Sequence, residues 1–576
     1  MMLPVFRRLL PACCYLLCTV SAIAQSANRF DVVIDELLPD PSPPVQLPNA
    51  EFIELKNVST TAFNIRNWKL SDGSTTATIT ASFVLKPDSF VIICANTAVT
   101  AFAPFGNAIG VSNFPSLNND ADLISLYSAE GRLIHAVGYN NNWYQNTVKS
   151  DGGWSLEMID TKNPCTGMNN WKASTGTSGG SPGKKNAVDD INTDEQPPAL
   201  IRSATTDSLT ISALFDEPLD SSSAASAANF TLNNGMAHPP SAAVIMPLCT
   251  EVVLKLAAPL NKENVYELHV NNVKDCAGNA INQFNTTKAG VPVMADSLAI
   301  VINEILFNPQ PDGFDYIELY NRSNHIIDLK QLYLATRNAT GQLTAAISIS
   351  PVSLLLFPGE YRVLTENRLW LQQQYLVKDP SLIIELPGLP SLPDDKGVVV
   401  LLNMQGNIID ELRYDHTWHF PLISDEEGIA LERLNYNQPT PDKSNWSSAA
   451  STVGFGTPGY PNSQLVSDGS LQGEVAISPA VFSPDNDGFN DFATIDYQLP
   501  EPGYVANIRI FDTHGRMVRH LARNATLALT GRFNWDGLDD QHRQLPVGIY
   551  VVLTEVFNLQ GKTRKFKQVV TLARRN

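Results

Sequence analysis

The strongest constraint on this chain is an internal repetition. The segment EFIELKN at residues 51–57 returns as DYIELYN at residues 315–321. Six more pairs match in the same order: VVIDELLPDP with IVINEILFNP, LKPDSFVII with LFPGEYRVL, FPSLNNDADLISL with LPSLPDDKGVVVL, GWSLEMID with GIALERLN, Trp171 with Trp446, and GGSPGKKN with FGTPGYPN. A series this long in one order indicates a duplicated domain, with copies at residues 28–187 and 297–463.

The repeated blocks have the pattern of β-strands. FIEL and YIEL alternate, which puts Ile53 and Leu55, or Ile317 and Leu319, on one face. DLISLYSAEGRLIHAVGY is two alternating runs across a Ser-Ala-Glu-Gly turn, the pattern of a hairpin. Many short strands joined by turns predict a β-sandwich for each copy.

Length and charge narrow the class further. At about 150 residues per domain, 576 residues suggest about four domains. The net charge of −18 argues against a nucleic-acid partner, because phosphates need a basic surface.

The N-terminus predicts export. Arg7 and Arg8 precede an apolar run, and Ala22-Ile23-Ala24 is a small-residue cleavage site, so residues 1–24 are predicted to be a signal peptide cut after Ala24. A lipoprotein at Cys18 is disfavoured, because large residues precede that cysteine. No later segment has the apolar length of a membrane span.

The repeated series resembles the lamin tail domain. Its shared features are a D/E-F/Y-I-E-L strand, P-S-L, an N-W pair and a closing G-x-P-G-x-x-N, which both copies carry along most of their length. The resemblance implies an Ig-like sandwich with a surface or binding role and with no catalytic set.

The other segments resemble two more families. A polar linker at 188–198 leads from the first copy to residues 199–293, where FDEPLD and VKDCAGN resemble a bacterial Ig-like domain, and a second linker at 464–474 leads from the second copy to the tail. Residues 475–576 (FSPDNDGFND, NWDG, GIYVV) resemble the C-terminal Ig-like domains of the type IX secretion route and the related hook-capping module. We therefore expect an all-β chain of four tandem Ig-like β-sandwich domains, with the tail binding export machinery.

Four cysteines remain after signal cleavage, which suggests disulfides in an exported chain. Cys249 and Cys276 share one predicted domain, and Cys94 and Cys165 share another, so these two pairings are expected. Buried free thiols are the alternative, and the second lamin-tail-like copy has no cysteines at the matching positions.

Two sets of carboxylates are candidate sites. Asp485, Asp487, Asn490 and Asp491 cluster in PDNDGFND, as calcium would require, although side chains bonding their own turn would give the same pattern. Glu36 and Glu54 recur as Glu304 and Glu318; such pairs could serve acid–base chemistry or bind a cation, and structural carboxylates bonded to backbone or arginine are the favoured alternative. We expect no cofactor other than this possible calcium ion.

Three weaker motifs favour plain structural explanations. GTSGG and GGSPG match a serine-nucleophile pattern but lie at a glycine-rich domain end, outside a strand-to-helix turn. His416 and His419 lack a third zinc ligand. The basic run GKTRKFKQVVTLARRN could be a recognition surface or a charged edge strand, and the sequence favours neither.

Together these observations favour a non-enzymatic, secreted or surface-attached protein with structural or adhesive modules that bind glycan or protein. The alternative is a cell-surface hydrolase with a carboxylate site between domains. Four domains account for nearly all of the mature chain, which favours the first hypothesis.

Overall fold

The computed structural model describes residues 26–466 and 473–574; the predicted signal peptide lies outside them. The first copy contains twelve strands: β1 Val32–Leu38, β2 Phe52–Asn57, β3 Phe63–Asn64, β4 Lys69–Ser71, β5 Thr76–Thr78, β6 Val84–Leu85, β7 Phe90–Ala95, β8 Ala108–Val111, β9 Ala121–Tyr127, β10 Leu133–Asn140, β11 Leu156–Met158 and β12 Trp171–Ala173. They form a six-stranded sheet (β12-β11-β1-β2-β7-β8), a four-stranded sheet (β10-β9-β4-β5) and the pair β3-β6.

Ig-like strands follow in the middle of the chain: β13 Leu200–Asp207, β14 Thr210–Phe215, β15 Phe230–Leu232, β16 Ser241–Val244, β17 Glu251–Lys255, β18 Tyr266–Val270 and β19 Thr286–Ala289. They form two sheets in the orders β13-β14-β17-β16 and β15-β18-β19. Each sheet contributes apolar side chains to one shared core.

The second copy repeats the first strand for strand: β20 Ile300–Leu306, β21 Tyr316–Asn321, β22 Ile327–Asp328, β23 Leu332–Thr336, β24 Ile347–Ser348, β25 Leu355–Leu356, β26 Tyr361–Thr365, β27 Ile383–Glu385, β28 Lys396–Asn403, β29 Ile408–Asp415, β30 Leu431–Arg433 and β31 Trp446–Ser448. Its sheets have the corresponding orders β27-β26-β21-β20-β30-β31, β24-β23-β28-β29 and β22-β25. The shared order, including one parallel pair at the same edge, confirms the duplication.

The tail contains β32 Glu474–Ser478, β33 Val481–Phe482, β34 Ala493–Gln498, β35 Tyr504–Phe511, β36 Met517–Thr526, β37 Thr530–Trp535, β38 Gly548–Asn558 and β39 Thr563–Leu572. Its sheets have the orders β32-β34-β37 and β33-β39-β38-β35-β36. Within the described ranges, three short α-helices lie in connections: α1 Val99–Phe102, α2 Ser221–Ala224 and α3 Arg368–Gln374. Among the described residues no helix has the length and apolarity to cross a membrane.

Burial explains why the long strands of the two copies carry apolar residues on both faces. All seven residues of β1 are buried, because its sheet is covered on both sides. One face, with Ile34, Ile53 and Leu55, packs into the sandwich core. The other carries Phe52 and Cys94 under α1. Only a strand with two covered faces can bury this pattern.

The linker at 188–198 is held by both of its neighbours. The Asn192 N–H donates to Asp160 of the first copy at 3.1 Å, and Asn279 Nδ2 of the Ig-like domain donates to the Asp194 carbonyl at 3.1 Å. The linker is therefore hydrogen-bonded to both of the domains that it connects.

Candidate functional site

The recurring glutamates lie side by side on the outer face of the six-stranded sheet. Glu36 of β1 is paired with Glu54 of β2 on one side and with Glu157 of β11 on the other. In the second copy Glu304 lies between Glu318 and Glu432 in the same way. All six residues are fully buried. Each copy therefore contains a row of three carboxyl groups.

The closing segment of the first copy lies across its row and supplies donors. The Ser181 N–H donates to Glu36 Oε1 at 2.8 Å, and the Gly183 N–H donates to Glu54 Oε2. Ser181 Oγ donates to Glu157 Oε1 at 2.6 Å. The serine of GGSPG thus binds the row through both of its donors. Its contacts attach the end of the domain to the sheet.

The second copy repeats these contacts. The Thr457 N–H donates to Glu304 Oε1 at 2.8 Å, the Gly459 N–H donates to Glu318 Oε2, and the Ser463 N–H donates to Glu432 Oε1 at 3.1 Å. Carboxylates with backbone N–H partners under a covering segment suit fold stabilisation, since a general acid or base needs an open approach for substrate.

Burial changes the ionisation of these carboxyl groups. Burial, followed by the neighbouring carboxylate Glu157, raises the pKa of Glu36 well above its usual value. Burial and then Glu432 raise the pKa of Glu304 to about 8. Three acids side by side cannot all ionise without strong repulsion, so the rows retain protons near neutral pH.

The sequence prediction missed Glu157 and Glu432. Both lie in the paired blocks GWSLEMID and GIALERLN, so a signal was present in the duplication itself. Their place beside Glu36 and Glu304 depends on β11 and β30, which join the sheet from more than a hundred residues away. Strand order within a sheet is not encoded in local alternation.

The predicted disulfide pairings were wrong. Cys165 is bonded to Cys276, with Cα atoms 6.4 Å apart, and Cys94 and Cys249 are buried free thiols. Cys94 lies near the C-terminal end of β7, where burial raises the pKa of its thiol to about 11. The bond joins the first copy to the Ig-like domain. The prediction paired only cysteines of the same domain and therefore missed it.

A cavity of about 310 Å³ lies next to this disulfide. The first copy contributes Arg29, Trp143 and Trp171, and the Ig-like domain contributes Asp216 and Leu248. Arg29 Nη1 lies 3.3 Å from the Cys249 sulfur, which places the free thiol at the same junction. The volume is at the lower end of the range for small-molecule pockets.

Three carboxylates meet at the same junction. Oxygen atoms of Asp194, Glu217 and Asp275 lie within 4.8 Å of one another. Burial, then Asp194 and Asp275, raise the pKa of Glu217 to about 8. Asp275 already accepts the Gly278 N–H at 2.6 Å and the Asn279 N–H at 2.8 Å, so it is also a turn-forming residue.

The three aspartates of the predicted calcium loop lie close together. Oxygen atoms of Asp485, Asp487 and Asp491 lie within 4.8 Å of one another. Asp487 accepts the Phe489 N–H, two residues further on, at 2.8 Å, as in an Asx turn. Asp491 accepts the Asn486 N–H at 2.7 Å and the Gly488 N–H at 2.9 Å. Asn490 contributes its carbonyl to the Ser483 N–H. Calcium binding here remains a prediction.

The two histidines of the second copy face different surroundings. His419 is buried, its Nδ1 lies 2.9 Å from Ser448 Oγ, and burial lowers its pKa to about 4. His416 is half-exposed and its Nδ1 lies 3.2 Å from Glu426 Oε2. Among the described residues, neither histidine belongs to a cluster of three potential metal ligands.

Comparison with protein families assigns the modules. The lamin tail domain family matches residues 25–141 and 294–416. The bacterial Ig-like domain family matches residues 194–288, and the type IX secretion signal domain family matches residues 476–572. No curated protein matches the chain.

Several solved structures match at low sequence identity. They include the N-terminal part of the bacterial S-layer protein SbsC (15% identity, 28% of this chain, 44% of that chain, TM-score 0.16) and FlgD from P. aeruginosa (21% identity, 18% and 78%, TM-score 0.14). PorZ, a surface component of the type IX secretion system of Porphyromonas gingivalis, matches at 11% identity over 91% and 69%, with a TM-score of 0.16. The chain spans less than half of the SbsC fragment, and TM-scores this low support no argument about function.

The family matches agree with the duplicated sheets and with the strand-rich architecture of every module. The chain is a secreted or cell-surface multidomain protein that contains two lamin tail domains, a bacterial Ig-like domain between them and a C-terminal type IX secretion signal domain.

Proposed function

We propose that this protein is a non-enzymatic surface protein whose lamin tail and Ig-like domains act as structural spacers and adhesive surfaces for glycan or protein. The match of residues 476–572 to the type IX secretion signal domain is the observation that carries the proposal. In this scheme the C-terminal domain serves export or attachment and contributes nothing to ligand binding.

The glutamate rows support a non-catalytic role. They are the most distinctive polar residues that the two copies share, and their oxygens accept hydrogen bonds from the segment that covers them. A catalytic carboxylate must reach a substrate atom directly or through one water. The segments at Ser181 and Thr457 cover the glutamates and block the approach of a substrate to them.

The domain junctions support a spacer role. The Cys165–Cys276 bond ties the first lamin tail domain to the Ig-like domain. Lys288 of the Ig-like domain pairs with Glu360 of the second lamin tail domain at 2.6 Å. The Leu529 N–H of the tail donates to the Ser463 carbonyl at 3.0 Å. Such contacts restrict domain motion, as a stalk requires.

The alternative is a hydrolase with its carboxylates at a domain junction. Asp194, Glu217 and Asp275 favour it, because a carboxyl group with a pKa of about 8 beside two further carboxylates could act as a general acid. Glu217 is the residue on which this alternative depends.

Deleting residues 475–576 tests the export role. We expect the complete chain outside the outer membrane and the deletion product in the periplasm, still folded as judged by protease resistance. Since the tail contacts Ser451 through Thr526 at 2.8 Å, a matched control should keep the tail and replace only Thr526 by Ala. Surface delivery of the folded deletion product would refute the export role.

Adhesion separates the two functions. Cells that display the complete chain should bind immobilised glycan or protein better than cells with the deletion, and Glu217→Gln should leave that binding unchanged. Hydrolysis of a surface polysaccharide or peptide that is lost in Glu217→Gln would establish the hydrolase and refute the adhesive proposal.

A further inference from the structure

The first lamin tail domain buries a group of oxygen atoms that have no hydrogen-bond donor in the protein. Both carboxyl oxygens of Asp35 are in this group, together with Glu54 Oε1, Glu36 Oε2 and Asn186 Oδ1. Asp35 is 1% exposed and Asn186 is 7% exposed. Burying such atoms without a partner is strongly unfavourable, so a group of them indicates a missing positive or hydrogen-bearing partner.

The backbone brings these residues to one place. Asp35 is the extra residue of a β-bulge in β1, opposite Glu54 of β2. Asn186, in the covering segment, donates from Nδ2 to the carbonyls of Asp35 at 3.0 Å and of Met158 at 2.9 Å. Both donors of that amide are therefore directed at carbonyls, which leaves its Oδ1 as an acceptor near Asp35.

The second lamin tail domain provides an internal comparison. Asn303 stands at the position of Asp35, in the same bulge. Its Nδ2 donates to Glu318 Oε1 and to Asn462 Oδ1, each at 2.7 Å. Glu318 and Asn462 correspond to Glu54 and Asn186. The amide of Asn303 thus supplies donors to the two acceptors that lack them in the first domain.

A carboxylate at position 35 removes those donors and adds two acceptors. When Asp35 and Glu54 are ionised, the protein supplies no donor to their buried oxygens or to Asn186 Oδ1. A cation can accept electron pairs from all of these oxygens at once. Oxygen-only ligands, with two carboxylates to balance a double charge and an irregular arrangement on a bulge and a loop, suit calcium better than magnesium, which demands octahedral geometry.

We propose that the first lamin tail domain binds one calcium ion through Asp35, Glu54 and Asn186, and that the Asn303 amide takes the place of this ion in the second domain. Glu36 Oε2 is a further buried oxygen of the row that has no donor. The ion connects the closing segment to strands β1 and β2 and thus stabilises the end of the first domain.

Burial raises the pKa of Asp35 to about 7, with Lys56 opposing the shift and Glu157 adding to it, and burial followed by Glu36 raises the pKa of Glu54 well above its usual value. Both shifts have burial as their main cause.

The test uses the complete mature chain with Asp485→Ala and Asp491→Ala, which remove the tail loop as a competing site. After denaturation in EGTA and refolding with calcium, elemental analysis should show one more calcium per chain in this background than in the same background with Asp35→Asn. Calcium should raise the Tm of the first domain by at least about 4 °C, and Asp35→Asn should abolish that rise.

Asp35→Asn is expected to fold, because the second domain already has asparagine at that position. Asn303→Asp is the reciprocal variant and should gain one calcium per chain. Equal calcium content with and without Asp35→Asn would overturn the proposal. A first domain whose stability responds to pH but not to calcium would also overturn it and would identify a shared proton.

Discussion

Replacing Arg433 by Met should destabilise the second lamin tail domain severely. The Arg433 side chain is 0% exposed and its partner Asp410 is 1% exposed, with Nη2 and Oδ2 3.3 Å apart. Arg433 also donates to the Ile302 carbonyl at 2.8 Å and to Thr440 Oγ1 at 2.6 Å. Removing the cation leaves a buried carboxylate uncompensated, which costs about 3–5 kcal/mol.

The first domain shows how this loss can be recovered. It has Met158 at the position of Arg433 and His135 at the position of Asp410. Nδ1 of His135 accepts the Ile34 N–H at 2.9 Å, just as Asp410 accepts the Ile302 N–H at 2.8 Å. Burial lowers the pKa of His135 to about 4, so this pair is neutral. The double variant Asp410→His/Arg433→Met should therefore regain at least about 2 kcal/mol of the loss.

Calorimetry on the mature chain measures this prediction. A loss of about 3–5 kcal/mol should lower the Tm of a domain of this size by about 6–20 °C. Hydrogen exchange in β20 and β30 assigns the transition to the second domain. Arg413→Met is the matched control, because the Arg413 side chain is 64% exposed and should change stability by less than about 0.5 kcal/mol. An Arg433→Met variant no less stable than this control, or a double variant no better than the single one, would refute the reasoning.

Three further predictions concern protonation and the disulfide. Because burial raises the pKa of Glu304 from 4.5 to about 8, its stabilising contribution is complete below pH 4.5 and is lost as the pH rises through 8. The Tm of the second domain should thus fall between pH 5.5 and pH 8.5, and it should fall less in Glu304→Gln; equal slopes in calorimetry would contradict this. Peptide mapping without reductant should link Cys165 to Cys276 and find Cys94 and Cys249 alkylated only after denaturation. Limited proteolysis of Cys165→Ser should cut at residues 188–198 much faster than in the wild type, and an unchanged rate would show that the linker is held without the bond.

The sequence by itself determined the modular organisation. Alternating residues and turn signals are local, so the hairpin of β9 and β10 and the strands that contain FIEL and YIEL could be predicted without a structure. The duplication could also be recognised without a structure, because the matching blocks and their order can be read directly from the amino-acid sequence. The resemblance to three families then gave export and the all-β class.

The tertiary structure decided which distant side chains meet. Cys165 reaches Cys276 only because the first lamin tail domain packs against the Ig-like domain, and the thiols that share a domain stay apart. Glu157 joins the carboxylate row because β11 is placed beside β1. The β-bulge of the first lamin tail domain places the Asp35 carboxylate where the second domain has the Asn303 amide. These contacts depend on strand order, bulges and domain docking, which arise from long-range packing that a local residue pattern does not specify.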